Sequence, residues 1–258
     1  MFERLRAWRR KRRIAAVIIP EDLWVRAEAQ LPFLAFLPPE DRPRLRELAR
    51  AFIAEKEFHG AAGLELNNDI IVGVSLQACL PILNIGLEAY RGWVGVVVYP
   101  GDFVISRSVT DEDGVVHEYD DEVLGEAWEG GPVLVSWHGE DERPEGVNVV
   151  IHEFAHKLDM VNGEVDGLPL LRPGMSRTAW ARTFGEAYAG FCDAVDAGED
   201  TVLDPYASED PGEFFAVASE VFFENPVGLR SAMPEIYRQL SQFYGLDPAA
   251  HAARSSDI

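Results

Sequence analysis

The sequence predicts an α+β fold in which helices flank a small mixed β-sheet, with one later helix carrying a His-Glu-x-x-His motif. Three observations lead to it. Apolar residues repeat at helical spacing over residues 21–58 and again after Gly146. Short β-prone runs alternate with Gly, Pro and Asp clusters between Gly92 and Trp137. The motif itself sits in an apolar, helix-compatible frame over residues 149–160.

In chain order, Pro20-Glu21-Asp22 starts a helix and Pro38-Pro39-Glu40-Asp41 starts a second, along which Leu45, Leu48, Ala49, Phe52 and Ile53 recur on one face. Asn67-Asn68-Asp69 caps an apolar stretch to Leu83 that suits a buried helix better than a strand of that length. The runs Trp93–Tyr99, Phe103–Ile105, Val115–Tyr119 and Val133–Trp137 are expected strands. Helices follow near 147–161, 176–196, 211–224 and 234–244, separated by Gly and Pro. A length of 258 residues suits one hydrophobic core. The expected organisation is a basic tail over 1–20, a single domain over 21–245 and a C-terminal tail over 246–258.

Charge narrows the function classes. The net charge is -21, yet residues 1–13 hold seven Arg or Lys against one Glu, which leaves -27 on the remainder. So acidic a body repels phosphate backbones and lacks a basic stripe, so direct nucleic-acid binding is not expected. Cys79 and Cys192, far apart in sequence, support neither a disulfide framework nor a thiolate metal site, and a reducing compartment fits. The apolar run Ile14–Ile19 is shorter than a signal-peptide core of about 7 to 15 residues, and no stretch reaches the roughly 18 of a membrane span. A cytoplasmic protein without a membrane span is expected.

On a helix, His152 and His156 stand one turn apart, so both imidazoles can reach one ion at about 2.0 to 2.1 Å. Glu153 can then approach a metal-bound water without ligating the ion, take its proton and hand it to a leaving amine. Hydrolytic zinc sites keep three protein ligands and leave the fourth position for water. The extended motif with a third His is excluded, because Asp159 and Asn162 stand where Gly and His would be needed. Carboxylates remain: Glu186, Glu213 and Glu220 are candidates. Context favours Glu213, which follows Pro211-Gly212 in the first turn of a helix that Phe214, Phe215, Val217 and Val221 drive into the core.

Glu220, seven residues on and on the same face, is the natural partner for a ligating imidazole, and Asp159 can serve the same end against a plain role at the helix end. Tyr206 in Asp204-Pro205-Tyr206 can aim its hydroxyl at an oxyanion, against a plain packing role. His59, His117, His138 and His251 lack ligand spacing and read as ordinary polar residues.

With those residues in place, the chain resembles the Mlc titration factor A family of bacterial zinc metallopeptidases. The likeness spans about residues 20–245. It is carried by Gln77-Ala78-Cys79-Leu80, Tyr90-Arg91-Gly92-Trp93, Val98-Tyr99-Pro100, Gly131-Pro132-Val133-Leu134-Val135-Ser136-Trp137, the segment Asn148–Asp159, and Glu213-Phe214-Phe215-Ala216-Val217. The resemblance implies a zincin-like, gluzincin-type site with one zinc on His152, His156 and Glu213, Glu153 as base, Tyr206 in the matching place, and a fold similar to the anthrax lethal factor catalytic domain. It also implies a cytoplasmic, aminopeptidase-like activity on peptides. Some members bind the repressor Mlc and so relieve repression of the sugar phosphotransferase system; no residue here marks a surface for that partner. In the lethal-factor-like pattern a second Glu follows the third ligand at four residues, where this chain has Val217.

Two functions follow as expectations: a zinc peptidase, or a regulatory binding protein that sequesters a transcription factor and keeps the zinc for structure or as a vestige. For the peptidase, the strand Val133–Trp137 is expected to offer its edge to an extended peptide.

Overall fold

The computed structural model describes residues 2–110, 116–123, 125–128, 130–137 and 147–250. The segment expected as a basic tail forms helix α1 (Phe2–Ala16), whose Arg10 pairs with Glu55 and reaches Glu88 at 3.7 Å. Helices α2 (Glu21–Ala29) and α3 (Asp41–Glu55) follow at the two predicted starts. Arg46 of α3 ties them, 2.7 Å from Glu21 and 2.6 Å from Glu28. The helical reading of residues 21–58 overruns strand β1 (Glu57–Gly60). Lys56 breaks the helix there, because its buried ammonium turns inward to donate to the carbonyls of Tyr90 at 2.6 Å and Trp93 at 2.7 Å.

Helix α4 (Asn68–Cys79) begins where Asn67 Oδ1 accepts from the Ile70 N–H at 2.9 Å. It ends before the expected Leu83, where Pro81 lacks the N–H that would continue the helical hydrogen bonds. Its residues are buried almost all round, as the unbroken apolar run requires.

Two sheets emerge from the β-prone middle. Strands β2 (Gly95–Tyr99), β3 (Phe103–Thr110), β4 (Val116–Val123), β5 (Gly125–Ala127) and β6 (Val133–Ser136) follow in order. Among them β3 and β4 form an antiparallel hairpin from Phe103 opposite Val123 to Thr110 opposite Val116. The four-stranded sheet runs β1-β2-β6-β5, parallel except for β5, which is antiparallel to β6. The expected peptide-receiving edge at Val133–Trp137 is therefore wrong: β6 is interior, flanked by β2 and β5, and all four of its residues are buried. A three-residue strand led by glycine carries too few apolar residues to be seen in sequence, and it is this strand that caps the sheet.

The C-terminal half is helical: α5 (Val149–Asp159), α6 (Arg177–Asp196), α7 (Pro211–Glu224), α8 (Pro226–Ala232) and α9 (Pro234–Tyr244). Prolines open α7, α8 and α9 at the position where the lost N–H is no loss. The short α8 lies outside the sequence expectation, and residues 251–258 of the expected C-terminal tail lie outside the described residues. Core packing fixes α5: Phe154 meets Phe52, Tyr90 and Trp93 at ring centroid distances of 5.6, 5.1 and 5.8 Å. With that face buried, His152 and His156 turn toward α7. Among the described residues no helix is long and apolar enough to cross a membrane.

Candidate metal centre

Each side chain of the centre is placed by local chemistry. Asn148 caps α5 by accepting the Ile151 N–H at 3.0 Å, and its own amide donates to Glu224 at 2.7 Å, locking the helix start to α7. Asp210 caps α7, accepting from Gly212 N at 2.7 Å and Glu213 N at 3.0 Å, which holds Glu213 in the first turn.

The three atoms that converge are His152 Nε2, His156 Nε2 and Glu213 Oε2. Their separations are 3.1 Å between the two nitrogens and 3.0 and 3.3 Å from those nitrogens to the oxygen. A tetrahedron with metal–ligand bonds of 2.0 to 2.1 Å has edges of about 3.3 Å, so the triangle matches one face of a zinc polyhedron. Two imidazoles and one carboxylate are also the donor set of a hydrolytic zinc site, three ligands with a corner left open.

Around the triangle, Glu220 Oε1 lies 2.6 Å from His152 Nδ1, and its Oε2 accepts the Asn148 N–H at 2.6 Å. Burial opposes charge on His152, but hydrogen bonds to Glu213 and Glu220 outweigh it and hold its pKa well above the usual imidazole value. Burial likewise works to raise the Glu213 carboxyl, yet His152 and His156 pull it far below the ordinary carboxylate range. Ligation through His152 would require that ring to release its extra proton, so metal binding and protonation compete at this centre.

Glu153 lies against Gly125 of β5, within electrostatic reach of His152, Glu213 and Glu220. It is buried, its Oε2 has no hydrogen-bond partner among the described residues, and burial pushes its carboxyl up to about 8, with the Glu213 and Glu220 charges adding to the rise. Tyr206, in the short turn Pro205–Ser208 before α7, is 48% exposed and its ring centroid is 6.2 Å from that of His152. It borders the centre from the solvent side.

Asp159 is fully buried, and its Oδ2 accepts the Gly167 N–H at 2.7 Å, so its described hydrogen bond pins the 163–168 loop rather than an imidazole. Among the described residues its Oδ1 and the Nδ1 of His156 are both buried without a partner, and burial raises the Asp159 carboxyl to about 7. Glu186 is exposed on α6 and is not among the residues that converge. His59 is exposed near Glu57, while the side chains of His117, His138 and His251 lie outside the described residues.

Three contributors are not among the sequence candidates. Asn148 was within reach as a cap residue directly before the motif. Lys157 donates to the carbonyls of Trp128 and Gly131, and Gly125 faces Glu153; nothing in the linear sequence signals either.

Comparison with known proteins adds an independent line. The profile of the glucose-regulated metallo-peptidase M90 family matches residues 5–245. Mlc titration factor A of Salmonella arizonae is 35% identical over 232 residues, covering 88% of this chain and 92% of that protein. The protein of the same name from Pectobacterium atrosepticum is 35% identical over 229 residues, covering 87% and 86%. The one from Cronobacter sakazakii is 34% identical over 247 residues, covering 93% and 91%.

Proposed function

From the premise that the chain belongs to the glucose-regulated metallo-peptidase M90 family, we propose that it is a zinc-dependent peptidase of aminopeptidase-like activity acting in the cytoplasm. The observation that carries this reading is the triangle of His152 Nε2, His156 Nε2 and Glu213 Oε2, with sides of 3.0 to 3.3 Å. These three residues would hold one zinc per chain. When bound, the ion supplies Lewis-acid polarisation of a scissile carbonyl and a water acidic enough to react near neutral pH.

The chain's own residues do the rest. Glu153 accepts the proton of the attacking water at its carboxylate and returns it to the departing amine. Burial, which pushes this carboxyl up to about 8, makes it a stronger base once ionised. Glu220 holds the Nδ1 proton of His152 at 2.6 Å, which presents Nε2 for ligation. The Tyr206 hydroxyl donates to the oxyanion from the solvent side. Asp159 supports the His156 end of α5 by fixing the following loop through the Gly167 N–H. The two cysteines are unpaired, in keeping with a reducing compartment.

A second reading is favoured by the relatives, whose name, Mlc titration factor A, describes titration of a partner. Under it this chain also sequesters a Mlc-like transcriptional repressor. A Glu153→Gln variant separates the two: hydrolysis of peptide substrates should vanish while zinc content and repressor binding persist. Hydrolysis at the wild-type rate in that variant ends the peptidase mechanism.

A further inference from the structure

We propose that Gly125 is a positioning residue for Glu153: the absent side chain on β5 is what admits the glutamate to its place against the strand. The inference rests on the reading of Glu153 as the base, but its first test does not depend on hydrolysis.

An ideal Cβ on Gly125 would stand 2.6 Å from Glu153 Cγ and 2.7 Å from Glu153 Cδ, well inside van der Waals contact. Because the stem is struck as well as the head, rotating the carboxylate does not relieve the clash. The side chain has little space to withdraw into, being only 4% exposed. Gly125 does not have the positive φ that would demand glycine for backbone reasons, so space alone explains the residue.

Nor can the strand retreat. Gly125 pairs with Val135 and Ala127 with Val133 on β6. The turn that follows β5 is held by Lys157, whose Nζ donates to the Trp128 carbonyl and, at 3.0 Å, to the Gly131 carbonyl. Lys157 lies four residues after Glu153, on the same face of α5. One helix face therefore carries both the carboxylate and the ammonium that anchors the strand crowding it. The spacing between base and strand is set inside this unit, independently of the ligand triangle.

A double-mutant cycle on thermal stability reads the contact directly. Gly125→Ala should lower the Tm of the zinc-loaded protein by about 3 to 8 °C, and by less than about a third of that when Glu153→Ala has emptied the space. If Gly125→Ala alone does not fold, the double variant should; an equal loss in both backgrounds, or a double variant that also fails to fold, overturns the proposal.

On activity, Gly125→Ala should cut kcat about 10- to 100-fold with KM within about twofold. Zinc affinity by chelator competition should stay unchanged. A kcat within about twofold of wild type, or a parallel fall in zinc affinity, counts against it. Should the wild-type protein hydrolyse no peptide, the reading of Glu153 as a base fails, while the melting cycle still decides whether Gly125 places this side chain.

Discussion

Glu220 clamps His152 and the start of its helix at once: one carboxylate oxygen lies 2.6 Å from His152 Nδ1 and the other 2.6 Å from the Asn148 N–H. Glu213, two turns earlier on α7, meets the opposite nitrogen of the same ring at 3.0 Å. A single helix thus grips both edges of one imidazole, which fixes its tautomer and its plane.

That grip predicts the effect of Glu220→Ala. Without the Nδ1 partner the ring is free to turn, and zinc affinity should fall about 10- to 100-fold. Competition with a chromophoric chelator measures it. Unchanged affinity would show that α7 contributes only Glu213.

Zinc removal should lower stability by mass action, since the triangle exists only in the folded chain. At free zinc about 100 times Kd the gain is about 2.7 kcal/mol, or about 5 to 11 °C in Tm for a chain of this size. Calorimetry with and without a chelator checks this, and His156→Ala should abolish the difference.

Asp159 should make the metal-free protein less stable as pH rises. Its folded carboxyl sits at about 7 against a reference of 3.8, so the folded state binds more protons between those values and loses stability across that window. Asp159→Asn removes the buried charge and keeps an acceptor for Gly167. The variant should be more stable than wild type by about 2 to 4 kcal/mol at pH 8, with the gap closing toward pH 4. Urea titrations at both pH values read the sign, and a gap that widens on acidification contradicts it.

Tyr206→Phe should lower kcat about 10- to 100-fold and leave zinc content and KM nearly unchanged, because only the hydroxyl is lost. Stopped-assay kinetics with a short peptide amide decide it. A rise in KM alone would make Tyr206 a binding residue.

The fold was legible where one residue pattern implies one structure. Asn67 and Asn148 announce helix starts because a capping side chain accepts a nearby backbone N–H. The same holds for Pro211, which opens α7. What escaped was set by partners remote in sequence. Glu57–Gly60 looks like a helix end until β2 is beside it, and Gly125–Ala127 has no strand signature apart from its pairing with β6. The four-strand order, with β6 interior, follows from neither hydropathy nor spacing.

By itself the sequence determined the helix that carries His152, Glu153 and His156, their spacing on one face, and a short choice of acids for the third ligand. Local geometry suffices for that, because a helical turn places residues four apart without help from the rest of the chain. Context in the sequence favoured Glu213 over Glu186 and offered Glu220 as an imidazole's partner, but only tertiary structure sets the distances at which Glu213 and Glu220 meet the two nitrogens of His152 and leaves room at Gly125 for Glu153. Those relations join segments 28 to 68 residues apart, and their distances are set by how α5 is wedged by Phe154 and α7 by its phenylalanines, a packing outcome of the whole core.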